Sequence, residues 1–223
     1  MALILHLETA TTNCSVSLAG SGQLLLLKEH ASAQYSHAEE LHLFIQQAMN
    51  EAGKTFDELE AVAVSKGPGS YTGLRIGVSA AKGLCYALDI PLISVSTLDS
   101  LARQKQGREG YIIPVLDARR MEVYSAVYSA DYEQVRQIKA EVIDESSFSE
   151  FLAKETCHII GPGAEKCAEV IRHKNAVFHI EALPSASEMI SIALAKWEST
   201  SFEDVAYFEP FYLKEFITTA KRR

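Results

Sequence analysis

The residues best equipped for chemistry are Lys66-Gly67-Pro68-Gly69-Ser70-Tyr71-Thr72-Gly73-Leu74-Arg75. Glycines at 67, 69 and 73 permit positive φ and close backbone approach. Ser70 or Thr72 can cap a following helix whose N-terminus attracts anions, with Lys66 and Arg75 nearby. An anion or nucleotide contact built on Lys66, Gly67, Gly69, Ser70 and Arg75 is one reading. A tight strand-to-helix turn is the other, and both stay open here. The segment is not a Walker loop, because no Gly-Lys-Ser/Thr follows the glycines.

Two acids come next. Glu8 and Asp117 each end an apolar run, where a carboxylate can hold Mg²⁺ or a water against a phosphate. The turns behind them, Thr9-Ala10-Thr11-Thr12 and Ala118-Arg119-Arg120, contain no glycine. Their N–H groups are poorly suited to close phosphate contact, which favours carboxylates that merely bond their own turn. On a helix, His37 and His42 diverge by roughly 140° and cannot share a metal. His158, His173 and His179 have no ligand spacing. No Gly-x-Ser-x-Gly elbow occurs. Cys14, Cys85, Cys157 and Cys167 lack Cys-x-x-Cys spacing and read as reduced, buried thiols of a cytoplasmic protein. No catalytic residue and no metal ligand is assigned.

The helix expected from Thr72 to Leu88 carries small residues at Gly73, Gly77 and Ala81, with Ala80 and Gly83 beside them. Each interior glycine costs about 1 kcal/mol relative to alanine, so a compensating close contact is expected. Either this stripe packs on its own sheet, or it forms a seam with another subunit. In the second case His37, Leu41 and Phe44 of the preceding helix join Gly73, Gly77, Ala80 and Ala81 as the partner interface.

The elements that would position these residues are written twice. Leu3 to Leu7, Cys14 to Ala19 and Gln23 to Glu29 read as a three-strand meander. Ser36 and Glu39 suggest a capping box for a helix with Leu41, Phe44, Ile45, Ala48, Met49 and Ala52 on one face, which Gly53 can end. A strand at Ala61 to Ser65, the glycine-rich helix, a strand at Pro91 to Val95 and a helix at Leu98 to Gln104 complete the unit. The second copy runs Tyr111 to Leu116, Glu122 to Tyr128, Val135 to Ile143, helix Phe148 to Lys154, and strand Thr156 to Ile160. Gly161-Pro162-Gly163 then enters a helix from Ala164 to Arg172, and Val177 to Ile180 and a long helix from Ser185 to Trp197 follow. Each copy has an acid ending its first strand and a Gly-Pro-Gly after its fourth. This describes an α/β chain of two ribonuclease-H-like subdomains in tandem, the actin-like ATPase, sugar-kinase and Hsp70 architecture. The expected division is 1–105 and 106–223, with the boundary near Gln104–Gly110.

With 223 residues, 48% hydrophobic and 22% charged, the composition is globular rather than disordered. The net charge of −8 argues against stand-alone nucleic-acid binding, which depends on clustered cations. No apolar run approaches the ~20 residues of a membrane span, and Ala2 to Leu7 lacks a signal peptide's basic flank.

Leu5-His6-Leu7-Glu8-Thr9-Ala10-Thr11, the stretch from Val62 through Lys66-Gly67-Pro68-Gly69-Ser70-Tyr71-Thr72-Gly73-Leu74-Arg75 to Val78, Lys82-Gly83-Leu84, and Pro210-Phe211-Tyr212-Leu213 together resemble one family. It is the TsaB (YeaZ) family, the dimerisation subunits of the bacterial tRNA threonylcarbamoyladenosine complex. The catalytic paralogue TsaD is similar up to Val95 and then carries metal-binding histidines. Here Ser94-Val95-Ser96-Thr97-Leu98-Asp99-Ser100 holds none. The resemblance implies a non-catalytic scaffold that binds TsaD through its first-domain helices. It implies no cofactor of its own, ATP, Mg²⁺ and metal belonging to partner subunits. It further implies a small ATPase, TsaE, reached through the complex, indirect contact with tRNA, and a homodimer through the same helices. Glu8 stands where the family more often has Asp, so it receives no catalytic role. An ATP-dependent kinase or transferase of the same fold is the alternative function.

Overall fold

The computed structural model describes residues 2–32, 37–104 and 109–214. Strands Leu3–Glu8 (β1), Asn13–Gly20 (β2) and Gln23–Ala31 (β3) form the expected antiparallel meander. Helix His37–Glu51 (α1) leads to strand Ala61–Gly67 (β4), helix Tyr71–Leu88 (α2), strand Leu92–Ser96 (β5) and helix Thr97–Ala102 (α3). The second unit repeats this with Tyr111–Asp117 (β6), Glu122–Tyr128 (β7), Gln134–Val142 (β8), helix Ser149–Leu152 (α4), Cys157–Ile160 (β9), helix Ala164–Val170 (α5) and Ala176–His179 (β10). The sheet orders β3-β2-β1-β4-β5 and β8-β7-β6-β9-β10 are the same mixed topology. The Ser36 capping box lies outside the described residues, as do residues 105–108 of the expected boundary.

The last helix departs from expectation in form and place. Residues Ala186–Met189 make a 3₁₀ turn, and only Ile190–Glu198 (α6) is α-helical. Side chains of β2 hold that turn: Ser17 Oγ donates to the Ala186 carbonyl at 2.9 Å, and the Ala186 N–H donates to Ser15 Oγ at 3.0 Å. The alternation of β2 therefore does not mark a solvated face. Cys14, Val16 and Leu18 meet α1, while Ser15 and Ser17 are buried beneath residues 185–186.

The two units exchange helices. Leu98, Leu101 and Ala102 of α3 pack on Ile112, Leu116 and Ile160 of the second sheet. Ala186, Met189, Ile192 and Ala193 pack on Ile4, Ala63, Ile93 and Val95 of the first. Residues 199–214 return as an arm along the first unit: Glu203 N–H donates to Leu92 O, Lys82 Nζ to the carbonyls of Ala206 and Phe208, and Phe211 N–H to Lys66 O at 2.7 Å. A division at residue 105 parts the sheets, but the packing crosses it in both directions.

Candidate partner-binding groove

The Gly-Pro-Gly segment works first as a turn. Gly67 has φ +106° and its counterpart Gly161 +117°, values that glycine tolerates and L side chains rarely adopt. A Cβ on Gly69 would lie 2.5 Å from the Ala10 carbonyl oxygen, and Ser70 N–H donates to that oxygen at 2.7 Å. Ser70 Oγ caps α2 by accepting the Gly73 N–H. Gly67, Gly69 and Ser70 are thus occupied by the β1–β2 turn, the helix and the Phe211 carbonyl. Lys66 and Arg75 separate as well. Lys66 lines a cavity with Asp99 and Tyr128, whereas Arg75 stacks on Tyr71, 4.2 Å from its ring centroid, and donates to Tyr212 Oη. The five residues of the expected anion contact do not converge on one point.

The small-residue stripe also faces inward. Thr9 Oγ1 donates to the Gly73 carbonyl at 2.8 Å. A Cβ at Gly73 would stand 2.1 Å from Thr9 O, and one at Gly77 2.3 Å from Thr9 Oγ1. His37 is buried with Nε2 2.6 Å from Thr11 O, and Leu41 and Ala81 are core. Phe44 is half-buried. Among the expected interface residues, Ala80 lines an open surface and the others pack within the subunit. The stripe satisfies the close approach that its glycines demanded, with the chain's own turn as the partner.

The outward face of α2 is a different stripe: Thr72, Ile76, Ser79 and Gly83, continued by Tyr86, which is 85% exposed. With Ala38 and His42 of α1 it lines a groove of about 730 Å³, and Tyr71 and Arg75 close one end. Its lining is mainly apolar, with Ala38, Ile76, Ala80 and Leu84 in it. Helical spacing separates this face from the glycine face, but does not say which of the two is exposed.

The two acids share a local role in unlike surroundings. Glu8 Oε1 accepts the Ala10 N–H at 2.6 Å, and Asp117 Oδ1 accepts the Arg119 N–H at 2.6 Å, the same two-residue bond in both units. Asp117 is exposed and pairs with Lys166 at 2.9 Å. Glu8 is sealed inside, also accepts from Ser65 Oγ, and has no partner for Oε2 among the described residues. Burial pushes its carboxyl up to about 7, against the bonds from Ala10, Ser65 and Thr9 and with some help from Glu188. A carboxyl so enclosed does not reach toward a phosphate or an ion.

Among the described residues no group of three or more His, Cys, Asp or Glu is arranged to hold a metal. Parallel pairing of β9 and β10 does bring His158 Nδ1 within 3.1 Å of His179 Nε2, a pairing that sequence spacing concealed. All four cysteines are free and buried, and no helix among the described residues is long and apolar enough to cross a membrane.

Two tandem ribonuclease-H-like units with exchanged helices define a chain of the actin-like ATPase and sugar-kinase architecture. The profile of the family described as TsaD, tRNA N6-adenosine threonylcarbamoyltransferase, matches residues 30–214, and the chain belongs to that family. It is similar to the tRNA threonylcarbamoyladenosine biosynthesis protein TsaB of Escherichia coli, 29% identical over 98% of this chain and 97% of that protein. The Bacillus subtilis protein of the same name is 36% identical over 53% of this chain and 52% of its own length. The solved structure of YeaZ from Pseudomonas aeruginosa matches with a TM-score of 0.84 at 27% identity, covering 96% of this chain and all of that one.

Proposed function

We propose that this chain is a non-catalytic scaffold of the complex that transfers a threonylcarbamoyl group to N6 of adenosine 37 in ANN-decoding tRNAs. In this reading it docks on its catalytic paralogue, TsaD, through the α1–α2 groove. ATP, Mg²⁺ and metal belong to the partner subunits, TsaE joins through the complex, and tRNA is held chiefly by those partners. The observation that carries it is an open apolar groove in a chain whose acid at the end of β1, Glu8, is enclosed. A patch of this kind can also pair two copies of the chain in the absence of the paralogue. Similarity to the proteins named TsaB supports the pathway, and the net charge of −8 supports an indirect role toward tRNA.

Ser79 is exposed in the middle of the groove, so Ser79→Arg adds bulk and charge there without touching the core. The variant should keep the parent's thermal melt, lose co-purification with the paralogue, and fail to support tRNA modification in the reconstituted complex. Wild-type co-purification by Ser79→Arg refutes docking through this groove. Turnover of ATP by the isolated chain refutes the scaffold reading.

A further inference from the structure

A second cavity, of about 390 Å³, lies where Lys66 and Ser96 near the ends of β4 and β5 face Asp99 of α3, Tyr128 of β7 and Phe211 of the arm. Neither the turn after Glu8 nor the one after Asp117 contributes to its lining. Its size falls within the range of pockets that hold small organic ligands.

Its chemistry is specific. Among the described residues the Lys66 ammonium has no hydrogen bond or ion pair. It stands close enough to Lys196 to help lower that residue's pKa, after burial, while Lys196 itself donates to the Ser94 carbonyl at 2.7 Å. Asp99 is matched by Arg103 at 3.3 Å. Glu203, the other carboxylate near Lys196, accepts from Ser94 Oγ. Among the described residues, Lys66, Lys196 and Arg103 against Asp99 and Glu203 leave one positive charge in excess, and of these three cations Lys66 is the one with no hydrogen bond or ion pair. The Tyr132 hydroxyl is buried and has no partner among the described residues. Three aromatic rings, Tyr128, Tyr132 and Phe211, line the space together with Gln134, Gln137 and Ile138, and Arg103 lies against the Tyr132 ring at 4.9 Å.

We infer that this cavity binds a small aromatic organic anion, with its charged group on Lys66 and its ring among Tyr128, Tyr132 and Phe211. The charged group is a carboxylate or a phosphate, both of which an ammonium accepts as a point charge.

The test is titration of the purified full chain, followed calorimetrically, with 4-hydroxybenzoate, phenyl phosphate, neutral benzyl alcohol and inorganic phosphate. At least one aromatic anion should bind saturably, and whichever binds tighter identifies the charged group. Benzyl alcohol and inorganic phosphate should each bind about tenfold more weakly or worse. Lys66→Met should weaken the aromatic anion about tenfold or more, the scale of one charge-assisted hydrogen bond, while exposed Lys174→Met leaves it unchanged. Lys66→Gln serves if the Met variant melts early. Equal affinity for benzyl alcohol, equal affinity for inorganic phosphate, indifference to both Lys66 substitutions, or no saturable binding at millimolar probe each overturns the assignment.

Discussion

Replacing Glu8 with Gln should expose a pH dependence of stability that the natural chain conceals. The Glu8 carboxyl is fully buried, and burial raises it from 4.5 to about 7. The unfolded chain releases this proton near 4.5, whereas the fold holds it until about 7. Within that window the native state binds more protons, so stability falls as pH rises. At about 1.4 kcal/mol per pH unit the loss across the window is about 3 kcal/mol. His6, on the same strand, is equally buried, and burial lowers it from 6.5 to about 4. There the unfolded chain holds the extra proton, so stability rises with pH between about 4 and 6.5 by a similar amount. The two slopes overlap and oppose each other. Glu8→Gln removes one of them, because the amide oxygen still accepts from Ala10 and Ser65 and no proton is left to lose. The variant should gain about 3 kcal/mol on the parent between pH 4.5 and 7. Any constant cost of placing an NH₂ group at the Oε2 position moves the whole curve, not its slope. Urea unfolding in small pH steps at fixed ionic strength measures this. Parallel curves for variant and parent would mean that Glu8 ionises normally, and the burial reasoning would fail.

Two further outcomes follow from packing. Gly77→Ala forces a Cβ to 2.3 Å from Thr9 Oγ1 and should lose about 1–3 kcal/mol in urea unfolding, whereas Gly83→Ala on the same helix meets nothing within 4 Å and should be neutral or stabilise by up to about 1 kcal/mol. Equal effects would show that Thr9 does not occupy the stripe. Burial lifts Cys14, Cys157 and Cys167 to about 12 and Cys85 to about 11, so a disulfide reagent at pH 8 should leave the native chain nearly untouched and titrate four thiols after unfolding.

Much of the fold was legible because it is set locally. Apolar runs ending in an acid mark β1 and β6, alternation marks β2 and β7, and Gly-Pro-Gly marks two strand-to-helix turns whose positive φ only glycine adopts easily. Ser70 is a helix cap by residue type and position. The absence of glycine after Glu8 and Asp117 pointed to carboxylates that bond their own turns, and both do. The groove was harder to read. Spacing showed that α2 has a small-residue face and a mixed one, but carried no information on which face solvent sees. Gly73 meets Thr9 across 64 residues, and Ser15 meets Ser185 across 170. Such contacts depend on where the folded elements come to rest.

Pattern and turn chemistry by themselves determined the tandem units, the strand order within each meander, and the membership that the signature around Lys66 announces. Tertiary packing alone decided that the glycine stripe closes on Thr9, that α3 and α6 trade sheets, and that Lys66 and Arg75 open onto different cavities. The reason is physical. Backbone dihedrals and side-chain periodicity are properties of a few neighbouring residues, whereas burial is a property of whichever distant surface arrives to exclude water.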